Sequence, residues 1–252
     1  MSADLYLNLL KRVLTNTILR QEPDLENDTA SRFLLGFGDH YVRGGAMSML
    51  PLARFDNLHH CIRDVIERDV QGDLIETGVW RGGATIFMRA ALLAYGVENR
   101  DVWVADSFEG LPEPDPEKYP LEAKAFHGAF QTKVLNHLAV GEDEVRRNFN
   151  AFGLLDEHVR FLRGWFKDTL PTAPIERLAI LRLDGDHYAS TMDALTALYD
   201  RVSPGGYVIV DDYGEETWTY CKQAVEEFRG ARRISDPLIR VDPSCYYWQR
   251  SH

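Results

Sequence analysis

Arg182-Leu183-Asp184-Gly185-Asp186-His187-Tyr188 and Val208-Ile209-Val210-Asp211-Asp212-Tyr213 are two acidic stretches, and each ends an apolar run. Leu178, Ala179, Ile180 and Leu181 precede the first, while Gly206 and Tyr207 lead into the second. Apolar runs of this length between turn signals read as strands of a parallel sheet covered on both faces. Ligands of such sheets bind beyond the carboxyl ends of the strands. Asp184, Asp186, Asp211 and Asp212 therefore come to one sheet edge. Crowded carboxylates repel, and more so when buried, so they call for a cation. All-oxygen ligation favours a hard ion such as Mg²⁺ over zinc. The other reading is that these acids end strands and cap the helices that follow.

Upstream, Asp73-Leu74-Ile75-Glu76-Thr77 reads as the first strand. Gly78-Val79-Trp80-Arg81-Gly82-Gly83 and an apolar helix from Ala84 to Tyr95 follow it. Strand, glycine turn and helix open a nucleotide-binding crossover. The glycines let backbone approach a ligand, although the spacing is not GxGxxG. The second strand, Val102 to Ala105, ends in Asp106-Ser107-Phe108. An acid there suits a ribose diol, since a carboxylate accepts from both hydroxyls; a helix cap is the alternative. Val159 to Leu162 makes a third strand, followed by Gly164-Trp165-Phe166-Lys167. That aromatic pair can stack on a purine or belong to the core.

The remaining segments frame this sheet. Residues 3–20 place Tyr6, Leu9, Leu10, Val13, Leu14 and Ile18 at helical spacing, an apolar stripe that must pack on the main domain or on another subunit. Residues 21–50 contain glycines, aromatics and methionines, which suit either a binding flap or a loop under the core. Asp56 to Asp69 reads as a second amphipathic helix; His59 and His60 lie within it and point in different directions. The stretch from Gly110 to Ala139 holds Pro112, Pro114, Pro116 and Pro120, so it is not one regular element and its length suits a lid. Helices are read at 142–152, 191–199 and 219–229. Ser203-Pro204-Gly205-Gly206 reads as a turn, and Leu238–Val241 with Cys245–Gln249 as a closing hairpin.

Together these predict one α/β domain, a Rossmann-like doubly wound sheet with an antiparallel C-terminal strand. Residues 1–55 form a helical cap and substrate flap, and 56–252 the main domain, with the lid insert at about 112–140. The net charge of −11, without a basic run, argues against a nucleic-acid backbone or an anionic membrane as partner. Cys61, Cys221 and Cys245 are scattered and show no CxxC spacing, which fits a reducing cytoplasm. No apolar stretch reaches the ~20 residues of a membrane span.

The motifs 73–83, 104–110, 164–169, 183–186 and 203–213 occur in order and closely resemble those of the macrocin-type (TylF-like) sugar O-methyltransferases. The resemblance runs from about 54 to 229 and weakens at 21–50, 112–140 and after 230, the segments expected to meet the acceptor. It implies a class I methyltransferase using S-adenosylmethionine and Mg²⁺ to methylate deoxysugars of glycosylated natural products in antibiotic-type biosynthesis, and a homodimer or larger assembly. By position, Asp184, Asp211 and Asp212 match the family's metal ligands, and Asp186 its general base. Glu76, Thr77, Gly78 and Gly82 match the turn beside the cofactor's methionine portion, Asp106 and Ser107 its ribose site, and Trp165 its adenine side. His187 stands where the family varies, and its ordinary pKa makes it a rival base. A Mg²⁺-dependent catechol-type methyltransferase is the alternative enzyme. A haloacid-dehalogenase-like phosphatase places its Asp-x-Asp after the first strand, not late in the chain as here.

Overall fold

The computed structural model describes residues 3–18, 46–127, 138–214 and 219–252. Most of the expected flap at 21–50 and the end of the insert lie outside them. Among the described residues seven strands form one sheet in the order β3-β2-β1-β4-β5-β7-β6. They are β1 (Asp73–Thr77), β2 (Val102–Asp106), β3 (Val159–Arg163), β4 (Leu178–Leu183), β5 (Val202–Val210), β6 (Ile239–Arg240) and β7 (Tyr246–Gln249). The first five run parallel, and β7 joins β5 antiparallel. The chain reverses direction of winding between β1 and β4, so the edge beyond β1, β2 and β4 is where a ligand crevice opens.

Alternation along the strands sorts side chains between two cores. Leu74, Ile180 and Ile209 face α1 (Ala3–Leu14), α2 (Leu52–Glu67) and α3 (Gly83–Ala94). Ile75, Leu181, Val208 and Val210 face α7 (Tyr188–Leu198) and α8 (Thr219–Ala231). Between these lie α4 (Pro120–Phe126), α5 (Glu142–Ala151) and the short α6 (Phe166–Thr169). No helix among the described residues is long and apolar enough to cross a membrane.

Three elements differ from the sequence reading. In α1 the buried face is Leu7, Leu10, Lys11 and Leu14, whereas Tyr6, Leu9, Val13 and Ile18 are exposed. The helix carries apolar residues on two sides; Leu10 and Leu14 of the expected stripe are buried, but the face is centred towards Leu7 and Lys11 rather than Leu9 and Val13. Second, residues 203–206 are not a turn but part of β5, where Leu178 pairs with Val202 and Ile180 with Tyr207. The extra residues bulge out of register. Third, α7 starts at Tyr188, immediately after the acidic stretch, rather than at Thr191.

Lys11 is tolerated inside because a directed chain of partners meets it. Its ammonium donates to Asp56 at 2.8 Å and to His59 Nδ1 at 3.0 Å. That leaves Nε2–H of His59 for Tyr95 Oη at 2.6 Å, and Tyr95 donates to Asp4 at 3.0 Å. Burial and the neighbouring Lys11 charge lower the His59 pKa from 6.5 to about 4. A folded-state pKa below the unfolded one means the contribution is complete above pH 6.5 and is lost as the pH falls towards 4. The melting temperature is thus expected to drop between pH 7 and pH 5, and His59→Gln to flatten that drop; parallel curves for the two proteins would contradict the assignment.

Candidate active site

The carboxyl ends of β1, β4 and β5 are laced by backbone bonds, from Asp184 N to Thr77 O and from Asp211 N to Leu183 O, both 2.9 Å. Gly78 makes this possible. Its φ is +88°, and a Cβ there would lie 1.7 Å from the Asp184 carbonyl oxygen. The glycine therefore serves first to let β1 and β4 touch. One ligand oxygen from each of Asp184, Asp211 and Asp212 falls within 4.8 Å of the others, the separation a single ion can span.

A buried guanidinium, not anticipated from the sequence, sits behind them. Arg182 is 1% exposed in the middle of β4 and lies opposite Glu76 in register. It donates to Glu76 and Asp211, and to Asp184 at 2.7 Å. Burial opposes its charge, but Asp211, Asp184 and Glu76 outweigh burial and keep it protonated. Arg54, from the first turn of α2, reaches the other oxygen of Asp211 at 2.5 Å. The same side chain holds Asp242 at 2.6 Å and Ser244 Oγ at 2.6 Å, tying the closing hairpin to the site.

Even with these two cations the acids are in excess. Burial, then repulsion from Asp211, raises the pKa of Asp184 well above its ordinary value. Burial, then Asp186 and Asp184, does the same to Asp212. Carboxylates held in mutual contact at such cost fit a divalent cation, and their chemistry is that of a hard-ion site. Asp186 has a left-handed φ of +57°, and its N–H donates to Asp212 at 2.9 Å. Strained backbone of this kind gathers where function over-determines it.

A cavity of about 630 Å³ opens beside this cluster. Gly78, Asp106, Ser107, Trp165, Asp184, Asp186 and His187 line it. Glu76, Thr77, Gly82, Asp211 and Asp212 are not lining residues. Gly82 instead faces Val145 and Phe149 of α5. Asp106 accepts from Val79 N at 2.8 Å, Phe108 N at 2.7 Å, Trp80 N and, at 3.4 Å, the Ser107 hydroxyl, so it fixes the glycine turn at the end of β2. The Ser107 hydroxyl is committed to its own turn, donating to Gly110 O at 2.8 Å. Glu76 Oε2 is buried without a hydrogen-bond partner, and burial pushes the Glu76 pKa up to about 7. An orphaned acid oxygen behind the β1 turn, with an acid at the end of β2 and Trp165 after β3, fits an aminoacyl nucleoside such as S-adenosylmethionine.

His187 is 7% exposed; burial lowers its pKa to about 4, and its ring hydrogen-bonds the Pro112 carbonyl. It is neutral at physiological pH and a poor proton acceptor there. The α7 N-terminus is met instead by Glu122 of the insert, whose Oε1 accepts from Tyr188 N at 3.2 Å. Nothing in the proline-rich stretch marked Glu122. Arg182 did leave a signal: a charge inside an otherwise apolar strand needs buried partners.

The model of the macrocin O-methyltransferase (TylF) family matches residues 37–250. Among curated proteins, demethyldecarbamoylnovobiocin O-methyltransferase of Streptomyces niveus is 48% identical over 254 residues, spanning 99% of this chain and 94% of that protein. Mycinamicin III 3''-O-methyltransferase of Micromonospora griseorubida is 45% identical over 252 residues, 98% of this chain and 97% of that protein. The solved structure of the O-methyltransferase NovP superposes with a TM-score of 0.88 at 48% identity, covering 99% of this chain and 100% of that one. The sheet order and these likenesses make the fold that of class I methyltransferases. The chain belongs to the macrocin O-methyltransferase family and is an O-methyltransferase.

Proposed function

We propose that this enzyme uses S-adenosylmethionine and Mg²⁺ to methylate a hydroxyl of a deoxysugar carried by a glycosylated natural product. The observation that carries the reading is the convergence of Asp184, Asp211 and Asp212 beside a cavity with a nucleoside-type wall. Its support in kind comes from the relatives, whose names specify a mycinamicin 3''-hydroxyl and, in Streptomyces olivaceus at 48% identity, the 4'-hydroxyl of a dimethoxy-rhamnosyl tetracenomycin.

Asp184, Asp211 and Asp212 would hold the ion, which when bound supplies Lewis-acid stabilisation of an ionising alcohol. Arg182 and Arg54 hydrogen-bond the two oxygens of Asp211 and orient it. A carboxylate oxygen of Asp186 takes the hydroxyl proton, its backbone anchored to Asp212. His187, neutral and bound to Pro112, does not compete for that role near pH 7. Glu76 and Asp106 place the methyl donor, and the insert excludes water, so that alignment contributes roughly 7–11 kcal/mol in favourable cases.

A small glycoside is the substrate in this reading, with neither nucleic acid nor membrane as partner, and the setting is the cytoplasm. Self-association belongs to it as well. Leu9 and Val13 of α1 remain 55% and 42% exposed, a stripe that a second copy would cover; a monomer by light scattering would refute this part alone. The main test is mass spectrometry after incubation with S-adenosylmethionine and Mg²⁺. A gain of one methyl on rhamnosides but not on catechols is expected, and the reverse preference would overturn the sugar assignment in favour of a catechol-type enzyme.

A further inference from the structure

Two side chains in the cavity wall have unfinished hydrogen bonding. Glu122 is 6% exposed, and with Oε1 held by Tyr188 N–H its Oε2 is buried without a partner. His187 precedes Tyr188, the residue whose N–H holds Glu122. With the ring bonded to the Pro112 carbonyl, which must be met by an N–H, the remaining nitrogen Nδ1 is a bare acceptor, also buried without a partner. Both residues line the cavity next to Asp186. The helix that carries Glu122 is locked onto this wall, since Phe126 packs edge-on against His187 at 6.0 Å and Tyr119 against Tyr188 at 5.0 Å.

Buried acceptors left unsatisfied are costly and rare, so two in the wall of one cavity point to a ligand that brings donors. We infer that Glu122 Oε2 and His187 Nδ1 form a hydroxyl-binding subsite that receives the sugar hydroxyl next to the one being methylated. This rests on the sugar reading above and deepens it. A hydroxyl can serve this pair: its one hydrogen goes to Nδ1 while its oxygen accepts from a protonated Glu122 carboxyl, or its hydrogen goes to the ionised carboxylate. An acceptor with no hydroxyl beside the reacting one leaves both groups unpaired. The subsite therefore selects polyhydroxylated acceptors by leaving its own groups unpaired with any other.

The test uses the full chain with S-adenosylmethionine and Mg²⁺. The probes are 4-nitrophenyl α-L-rhamnoside and its 2-, 3- and 4-deoxy analogues. In the wild type one deoxy analogue should lose about 10- to 100-fold in kcat/KM. Glu122→Ala should lose as much on the parent rhamnoside, chiefly through KM, and nothing further on that analogue. Glu122→Gln keeps an oxygen for Tyr188 N–H, so it should retain wild-type folding and stabilisation by S-adenosylhomocysteine while showing the same non-additivity, more weakly. The subsite is overturned if the deoxy penalty is equal in the wild type and both variants. It is also overturned if Glu122→Gln weakens S-adenosylhomocysteine binding as much as rhamnoside binding, for then the residue only braces the fold. Turnover of no rhamnoside by an enzyme that still binds S-adenosylhomocysteine would overturn the sugar reading, and the subsite with it.

Discussion

Arg182→Met should lower stability by about 3–5 kcal/mol, the usual result of leaving buried charges without their counter-ion. For a chain of this length that corresponds to a fall in melting temperature on the order of 10 °C. Methionine fills most of the arginine's volume, so the loss would report charge rather than a cavity. Glu76, Asp184 and Asp211 all turn to this one guanidinium from three adjacent strands, and among the described residues only Asp211 has a second cation, Arg54. Removing Arg182 sets three acids against one another in a place where the pKa of Glu76 and Asp184 is already raised by burial. Added Mg²⁺ should recover part of the loss, because Asp184 and Asp211, two of the three acids that Arg182 neutralises, would also hold the ion. A variant that melts within about 2 °C of the wild type would show that the network is not under electrostatic load.

Asp212→Asn is expected to separate stability from activity. Burial, Asp186 and Asp184 all disfavour the charged form of Asp212, and asparagine has the shape of the protonated acid. The Asp186 N–H keeps an oxygen to bond. In chelator the variant should therefore melt at or above the wild-type temperature. Methyl transfer, by contrast, should fall by about three orders of magnitude, the equivalent of losing several kcal/mol of Lewis-acid stabilisation. Stabilisation by S-adenosylhomocysteine should persist, since Asp212 does not line the cavity. This opposition is the signature of a site that holds repulsion in reserve for its ligand. An unchanged rate, or a variant less stable than the wild type in chelator, would count against the ion site.

Much of this was legible because parallel strands advertise themselves. β1, β2, β4 and β5 are continuous apolar runs, and acids at their ends must share an edge once the winding order is fixed. What could not be read were the contacts made across long separations. Arg54 meets Asp211 over 157 residues and Asp242 over 188, with no local pattern to foretell either. Glu122 lies in a proline-rich insert, and its place at α7 depends on a contact with Tyr188, 66 residues away. The buried face of α1 is legible only in part, through Leu10 and Leu14, because Lys11 looks like a solvent residue until Asp56 and His59 are placed around it. Arg182 was the one missed residue with a local clue, a charge embedded in β4. The roles of Ser107 and Gly82 also shift: the motif marks them, but their atoms are spent on a turn and on helix packing.

The most direct measurement is methyl transfer to a rhamnoside by chelator-treated enzyme as Mg²⁺ is titrated back. The account predicts no turnover in excess chelator, recovery with added ion in the wild type, and no recovery in Asp212→Asn. Full activity in excess chelator would contradict it.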